Sequence, residues 1–291
     1  MDALSRLLSL YPVRTAFDTR CCASAPLRLD YPAHAQGSAP YHLVVEGCAV
    51  LEMDGHAPRA LAAGDMLLLP RGQAHRLRLG GVAAAPAPTD ILCGQFHFSE
   101  EGGSALPDAL PDIVLIRTAG RAELAGLQAL VNLLRDEAST PRHGAGAVVS
   151  HLASALLALL LRAWLEQAGA VPGLFALLAN DRLAPALNGI LTAPERQWSM
   201  EQLARTCHMS RSSFMRLFVK VAATGPGELL LRVRMAIAAQ SLRDGRRSIG
   251  DISEAAGYHS EAAFNRAFKR HIGVGPGAYR RHGLEAALPA A

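Results

Sequence analysis

The feature that most constrains this chain is an internal repeat in its last third, with a period of 50 residues. Each copy contains a serine, two phenylalanines with an arginine between them, and a closing Gly-Pro-Gly motif. The matched positions are Glu201 with Asp251, Ser210 with Ser260, Phe214 with Phe264, Arg216 with Arg266, Phe218 with Phe268, and residues 225–227 with 275–277. Repetition at a fixed spacing indicates one small supersecondary unit that is built twice.

Both copies are predicted to form a helix, a tight turn and a second helix. A serine precedes each of the four helices, where its hydroxyl can accept a hydrogen bond from the first turn. These serines are Ser199, Ser210, Ser248 and Ser260, and the turns are residues 207–209 and 257–259. Short helices joined in this way are typical of the helix-turn-helix unit, whose second helix enters the major groove of DNA.

The second helix of each copy projects side chains that suit contact with DNA. The predicted base-contacting residues are Arg211, Ser212, Met215 and Arg216 in the first copy, and Glu261, Ala262, Asn265 and Arg266 in the second. Arginine can bridge O6 and N7 of guanine, and asparagine can bridge N6 and N7 of adenine. Farther along the helices lie Lys220, Lys269 and Arg270, which suit phosphate contacts that position a protein without selecting a sequence.

The distribution of charge favours the same function. From residue 181 onward the chain has 16 Lys and Arg against 9 Asp and Glu, a net charge of +7, whereas the remainder carries −3 of the total of +4. A basic segment behind a mildly acidic one indicates that the carboxy-terminal third binds a polyanion. Residues 228–242 have helical periodicity, and a rigid connector there would present the two second helices to successive major-groove faces, roughly 34 Å apart.

The first part of the chain has the pattern of a β-rich domain. Short apolar runs alternate with turn residues, which predicts a sandwich or barrel with strands at 43–45, 49–53, 65–69 and 91–98. Helical periodicity begins near residue 122. The apolar run 148–161 is shorter than the roughly 20 residues that cross a bilayer, so it predicts a buried or subunit-contacting helix.

The segment from Gly257 to Arg281 resembles the AraC/XylS family of bacterial transcription regulators. Its motifs are Ala-Phe-Lys-Arg at 267–270, Gly-Val-Gly-Pro at 273–276 and Ala-Tyr-Arg-Arg at 278–281. The resemblance covers about 182–282 and implies activation, contact with RNA polymerase, and base contacts by Ser212, Met215, Arg216, Glu261, Ala262, Asn265 and Arg266. In two respects the chain departs from the family. Cys207 takes a turn position that often has glycine, and Met215 and Ala262 are weak hydrogen-bonding partners for a base.

The front domain resembles the cupin-type sensor domain found on a subset of these regulators. The motif Pro-Arg-Gly-Gln-Ala-His at 70–75 matches the second cupin motif, while His42 with Glu46 and residues 64–65 match the rest in part. With residues 1–8, Cys21 and the segment 92–94, the resemblance extends to regulators that respond to reactive chlorine species. It implies a cupin-like β-barrel.

Three hypotheses for the sensed signal remain open, and the first is thiol oxidation. An accessible thiol of low pKa is oxidised selectively and reversibly. The resemblance points to Cys21 and Cys93 as the sensing residues, with Cys22 as a resolving partner. Cys48 and Cys207 are interpreted as small buried apolar residues.

In the second hypothesis the barrel holds a divalent metal ion. His42, Glu46 and His75 are available from the cupin set of three histidines and one glutamate, Pro40 occupies the place of the first histidine, and His97 is a candidate to replace it. Such ligands suit Zn, Fe or Ni, although no cofactor is certain. In the third hypothesis a small organic effector binds between the sheets. An enzyme is not expected, because metal catalysis needs a complete ligand set with an open position.

Together these patterns predict an α+β multidomain transcription regulator that is not an enzyme. Residues 1–120 form a cupin-like sensor domain, 121–180 a helical dimerisation and linker region, and 181–291 an all-α DNA-binding domain with two helix-turn-helix units. The expected partners are double-stranded DNA, RNA polymerase, an oxidant or small-molecule effector and a second copy of the chain, but no membrane. The early Asp2 and the lack of an apolar signal-peptide core predict a cytoplasmic protein.

Overall fold

The computed structural model describes residues 2–11, 13–23, 27–35, 37–80, 88–98, 105–118, 121, 124–139, 142–167 and 172–287, and the side chains of these except 14–23, 105, 167 and 282–287. Internal contacts divide the chain into two units. The sheet unit comprises Val13–Phe98 and Leu106–Ala168. The helical unit comprises Met1–Pro12, Ser99–Ala105 and Gly169–Ala291.

Two antiparallel sheets form most of the sheet unit. Their strands are β1 (Val13–Ala23), β2 (Leu27–Tyr31), β3 (Ser38–Glu46), β4 (Cys48–Glu52), β5 (Arg59–Ala62), β6 (Met66–Leu68), β7 (His75–Leu79), β8 (Thr89–Phe98) and β9 (Val114–Ile116). The first sheet has the order β1-β8-β3-β6-β9 and the second the order β2-β7-β4-β5. The apolar runs singled out in the sequence lie in β3, β4, β6 and β8, as predicted.

The two sheets face each other and do not close into the predicted barrel. Within the described ranges no ladder of hydrogen bonds joins them, so each sheet keeps two edge strands. Apolar side chains from both sheets fill the space between them, including Leu67 and Ile91 from the first and Leu51 and Leu77 from the second. The sheet unit is therefore held together by packing of two pleated faces, because main-chain pairing ends at the sheet edges.

In the described part of the chain, the helices that accompany the sheets are α2 (Ala105–Asp108), α3 (Ala125–Ser139) and α4 (Ala145–Gln167). The apolar helix α4 is longer than the predicted run 148–161, and its residues Ala145–Glu166 are long and apolar enough to cross a membrane. The length argument from the sequence is therefore wrong. Leu156 and Leu160 of α4 are fully buried, and the helix packs on α3, β1 and β9, which is the packing of a core helix in a soluble protein.

The helical unit contains α1 (Ala3–Leu10), α5 (Leu174–Leu178), α6 (Ala184–Thr192), α7 (Met200–Thr206), α8 (Arg211–Ala222), α9 (Pro226–Asp244), α10 (Ile249–Ala255), α11 (Glu261–Ile272) and α12 (Pro276–Ala287). One core lies around Leu187, Phe214 and Phe218, and a second around Phe264 and Phe268. The long helix α9 contributes buried residues to both cores. It is the helical connector that the periodicity predicts.

Helix α1 belongs to the helical unit although it opens the chain. Leu7 of α1 is 1% exposed and lies in the first helical core, where α1 packs on α6 and α9. The predicted domain limits of 1–120, 121–180 and 181–291 stay a prediction. The contacts differ from these limits in grouping α1 with the helical unit and α3 and α4 with the sheets.

Candidate nucleic-acid interface and thiol site

The first helix-turn-helix unit begins with a capped helix, as predicted. The Ser199 hydroxyl accepts a hydrogen bond from the Gln202 N–H at 3.1 Å, and the Gln202 side chain accepts one from the Ser199 N–H at 2.9 Å, so both halves of a capping box are present. Ser210 caps α8 through the backbone N–H of Ser213. Two buried phenylalanines fix α8 in the core, which leaves the opposite face of the helix to solvent.

The second unit repeats this construction residue by residue. Ser248 and Asp251 form its capping box, and Ser260 caps α11. Two phenylalanines again take the buried positions. The same sequence of buried, half-buried and exposed positions occurs along 211–220 and 261–270. The second helices of the two units therefore present equivalent faces, as the repeat predicts.

The first helices of the two units differ from the predicted alignment by one residue. Their N-caps, Ser199 and Ser248, are 49 residues apart, whereas the second helices match at 50. Gln202 is therefore the counterpart of Asp251, since each is the third residue of its helix. The predicted match of Glu201 with Asp251 is wrong, because the second turn is one residue longer.

The left-handed position of the first turn is occupied by His208. Its φ is 53°, and the matching residue of the second turn is Gly257 with a φ of 76°. The sequence placed this departure from glycine at Cys207, which is wrong. Cys207 lies in the core, as expected for a structural cysteine, and corresponds to the buried Ala256. Cys48, expected to be buried as well, is half-buried on β4.

Most of the predicted DNA-contacting side chains are exposed. These are Arg211, Ser212, Arg216 and Lys220 on α8, and Glu261, Ala262, Arg266, Lys269 and Arg270 on α11. The Arg211 Nε lies 2.9 Å from a carboxylate oxygen of Glu201, so this arginine is ion-paired. Because Glu261 takes the equivalent place on α11, the two helices begin with opposite charges.

Met215 and Asn265 occupy equivalent half-buried positions at the border of this face. Met215 packs against the first helical core. The Oδ1 of Asn265 is buried without a hydrogen-bond partner. An unpaired buried oxygen is unfavourable.

Four side chains form a polar cluster between the two sheets: Tyr31 of β2, His42 of β3, His75 of β7 and Cys93 of β8. The register pairs His42 with Cys93 in one sheet and Tyr31 with His75 in the other. The Cys93 Sγ lies 3.1 Å from His42 Nδ1 and 3.4 Å from the Tyr31 hydroxyl. The His42 Nε2 lies 2.8 Å from His75 Nε2, and the Tyr31 ring stacks on His75. The predicted thiol and two predicted metal ligands thus meet in one cluster.

The hydrogen bonds of this cluster set the direction of proton donation. The Gln73 carbonyl can only accept, so His75 Nδ1, 2.9 Å away, is the donor. In a neutral His75 the Nε2 is then the acceptor, and His42 Nε2 donates to it. This leaves His42 Nδ1 to accept from the Cys93 thiol. Donation therefore runs from Cys93 through both histidines to Gln73.

Burial favours the neutral form of both imidazoles. It lowers the pKa of His42 well below its usual range, and His75 and His34 lower that pKa further. Burial also lowers the pKa of His75, against the opposing effect of its hydrogen bond to Gln73. Cys93 is 3% exposed. The cluster is a desolvated site in which a charge on a histidine is unfavourable.

The second predicted sensing cysteine, Cys21, lies on the strand next to Cys93. The register of β1 and β8 places Thr19 opposite Cys93 and Cys21 opposite Ile91, so the two cysteine positions are offset by two residues along the ladder. The side chains of Cys21 and Cys22 lie outside the described residues.

The predicted metal ligands do not come together as a set. Glu46 is exposed at the end of β3, and His97 lies 3.1 Å from the Ser38 hydroxyl. Across the described ranges no group of three or more His, Cys, Asp or Glu side chains has the arrangement of a metal site. A metal on His42 and His75 would have to displace the hydrogen bond that joins them.

Comparison with known proteins decides the family. A model described as "Cupin" matches residues 2–166, and one described as "Helix-turn-helix domain" matches residues 203–282. The chain is 31% identical over 281 residues to the RCS-specific HTH-type transcriptional activator RclR of Escherichia coli, over 96% of this chain and 97% of RclR. The chain belongs to the AraC family.

Two further similar proteins are also described as acting in transcription. The transcriptional regulator MtrA of Neisseria gonorrhoeae is 28% identical over 97% of this chain and 99% of its own length. Among solved structures, the DNA-binding domain of AdpA in complex with a target DNA is 28% identical and covers 37% of this chain and 97% of that domain, with a TM-score of 0.36. As a member of the AraC family, the protein is a DNA-binding transcription regulator and not an enzyme.

Three residues that shape these sites of the AraC-family chain were not predicted from its sequence. Tyr31 and Gln73 complete the thiol cluster, and Arg234 of α9 contacts the loop before α7. Strand alternation could have indicated an inward-facing Tyr31, but not its stacking on His75. Gln73 accepts the hydrogen bond from His75 through its main-chain carbonyl. Its residue type therefore could not have predicted this role.

Proposed function

We propose that this AraC-family regulator activates transcription from a specific operator when Cys93 is oxidised. The observation that carries the proposal is the contact of 3.1 Å between Cys93 Sγ and His42 Nδ1, inside a chain of hydrogen bonds that fixes the position of the thiol. The E. coli relative is described as an RCS-specific activator, and we infer the same class of oxidant here, namely reactive chlorine species.

Oxidation of Cys93 would alter the packing between the sheets. The Cys93 sulfur attacks a two-electron oxidant such as hypochlorous acid, which is reduced to chloride; the oxidant's oxygen stays on the sulfur as a sulfenic acid, and the thiol proton is released with the chloride. A second thiol then converts the sulfenic acid to a disulfide with release of water. Because Cys93 is 3% exposed and interiors are densely packed, the added oxygen forces His42 or Tyr31 to move. Cys21, two residues along the neighbouring ladder, and Cys22 are the candidate second thiols.

The proposed partners are operator DNA, RNA polymerase and a second copy of the chain. Leu133 of α3 and Val148 of α4 are 50% and 42% exposed. Exposed apolar side chains on neighbouring helices favour a subunit contact, so this pair of helices is the proposed dimer interface. The proposed location is the cytoplasm, where thiols are kept reduced until an oxidant arrives.

A small-molecule effector is the alternative signal, and a groove of about 240 Å³ supports it. The groove lies beside β3 and α3 and includes Asp65, Thr118, Gln128 and Asn132 in its lining. Ligand pockets usually enclose about 300–1,000 Å³, so this groove is small for an organic effector. Cysteine oxidation is therefore the favoured signal.

The test is a titration of operator DNA with reduced and oxidant-treated protein. Cys93→Ser and Cys21→Ser should each abolish the oxidant-dependent change in DNA binding, whereas the matched control Cys48→Ser should keep it. An unchanged response in Cys93→Ser would refute thiol sensing at this site. Metal content measured on the same untagged sample, prepared without chelator, tests the metal alternative, because a stoichiometric metal lost in His75→Gln would support it.

A further inference from the structure

We propose that Arg234 is a positioning residue that holds the two helix-turn-helix units at a fixed separation, and so sets the spacing of the two half-sites that the regulator binds. The proposal goes beyond DNA binding as such and does not depend on the signal that is sensed. It rests on the contacts of one side chain, midway along α9, with segments of both units.

On the side of the first unit, Arg234 binds the loop that leads from α6 into α7. Its Nε donates to the Pro194 carbonyl at 2.7 Å, and its Nη2 donates to the Arg196 carbonyl at 3.0 Å. The cap of α7, Ser199, follows three residues after Arg196. A guanidinium with donors in a fixed fork can hold two carbonyls of one loop together, and a lysine cannot.

On the side of the second unit, Arg234 faces the turn between α10 and α11. Its guanidinium carbon lies 5.8 Å from the centre of the Tyr258 ring, within range of a cation–π contact. At Gly257 a Cβ atom would lie 2.8 Å from the Arg234 Nη2 and 2.5 Å from the Glu195 carbonyl oxygen. The absence of a side chain at Gly257 therefore allows the turn to lie directly against the loop of the first unit.

A second hydrogen bond joins the same loop and turn. The side-chain amide of Gln197 donates to the Gly257 carbonyl. The loop before the first unit and the turn within the second unit thus meet at one place, and the Arg234 guanidinium lies there with both of them. Because α7 begins directly after the loop and α11 directly after the turn, the contact controls the orientation of each unit relative to the other.

Partial burial makes these contacts sensitive to substitution. Burial lowers the pKa of Arg234 from its usual value, with Tyr258 and Glu195 opposing the shift. Loss of the guanidinium would leave the carbonyl of the buried Pro194 without this donor, which is unfavourable, whereas the exposed Arg196 carbonyl would keep its hydrogen bond from the Trp198 N–H. The loop and turn would then separate, while the Phe-rich cores of the two units, which do not depend on this contact, would stay packed.

The consequence appears on DNA that has two half-sites. An inserted base pair moves the second half-site by about 3.4 Å and rotates it by about 35°. A regulator with rigidly coupled units binds such a site poorly, because only one recognition helix fits its groove. A regulator with loosely coupled units binds the original site less tightly. It loses less affinity than the rigidly coupled form when a base pair is inserted between the half-sites.

The experiment uses the full chain and a duplex selected by it from random DNA, with and without one inserted base pair. We expect the insertion to weaken wild-type binding by about tenfold or more, the loss of one recognition contact. Arg234→Met should weaken binding to the original site by about tenfold and reduce the insertion penalty to about threefold or less. Gly257→Ala should act in the same direction, because its Cβ pushes the turn from the loop.

The matched control is Arg232→Met, two residues earlier on α9, which removes the same charge from a side chain that pairs with Glu228. It should leave the insertion penalty unchanged. If Arg234→Met unfolds, Arg234→Lys is measured instead, since it keeps the charge but not the fork. A wild-type insertion penalty that is absent, or one that persists in folded Arg234 variants, would overturn the proposal.

Discussion

The Nε2 atoms of His42 and His75 lie 2.8 Å apart between the two sheets, and this contact can form only while one of the two nitrogens lacks a proton. The other nitrogen of each ring is engaged as well, with Cys93 and with the Gln73 carbonyl. Protonation of both rings would place two N–H groups against each other. The cluster therefore couples the state of one thiol to the charge of two histidines.

The stability of the sheet unit should fall below pH 6.5. Burial lowers the pKa of His42 and of His75 in the folded state, so the unfolded chain binds protons first as the pH decreases. The histidines therefore destabilise the fold by up to about 1.4 kcal/mol per pH unit for each proton, and this effect is absent above pH 6.5. Urea unfolding at pH 7.5 and 5.5, followed by Trp164 fluorescence in a Trp198→Phe background, measures it.

The control for this pH dependence is His75→Gln, which cannot titrate in this range. The variant should lose less stability than the parent between the two pH values. Equal losses in both proteins would show that the cluster is not the source of the effect.

Arg266 and Lys269 should differ in what they contribute to DNA binding. Both are exposed on α11, but Arg266 is predicted to contact a base and Lys269 a phosphate. Arg266→Ala should reduce the binding free energy on the operator by about 1–3 kcal/mol and relax the sequence preference at one base pair. Lys269→Ala should weaken binding to all sequences and reduce the slope of log binding constant against log salt concentration by about 1. Titrations of operator and random duplex at several salt concentrations separate the two effects. Identical losses on both duplexes for Arg266→Ala would contradict base contact.

Glycine should be tolerated at position 208 and not at position 207. His208 has a φ of 53°, so His208→Gly relieves a left-handed backbone and should change the unfolding free energy by less than about 1 kcal/mol. Cys207→Gly removes a buried side chain and should cost about 1–3 kcal/mol. Thermal unfolding of the two variants provides the comparison, and a greater loss in His208→Gly would contradict the assigned turn.

Leu7→Ala should destabilise the helical unit, although Leu7 lies near the start of the chain. Leu7 is 1% exposed in the core that contains Phe214, and truncation of a buried leucine costs about 2–5 kcal/mol. Trp198 fluorescence in a Trp164→Phe background follows unfolding of this unit, and Ser9→Ala on the exposed face of α1 is the control. A normal Trp198 transition in Leu7→Ala would place α1 elsewhere.

The DNA-binding units were predictable because their signals are local. Serine caps, phenylalanines at helical spacing and a fixed period lie within a few turns of the residues they organise, and the structure confirms the four helices that they predict. The first helices were misaligned by one residue because the 50-residue period of the second helices was applied to them as well. The first helices of the two units are in fact 49 residues apart. His208 and Gly257 reveal this difference only through their backbone conformation.

The amino-acid sequence by itself determined where the four helices of the repeat and the strands β3, β4, β6 and β8 lie, which family the chain resembles and which faces of α8 and α11 are polar. Tertiary structure alone decided that Tyr31, His42, His75 and Cys93 meet, that the sheets do not close, and that Arg234 joins two units. The physical reason is that strand register and sheet packing depend on contacts between distant residues, such as Tyr31 and Cys93, which are 62 positions apart. Secondary-structure propensity and hydrophobic periodicity depend on residues that are close in the chain. They therefore do not predict contacts between distant residues.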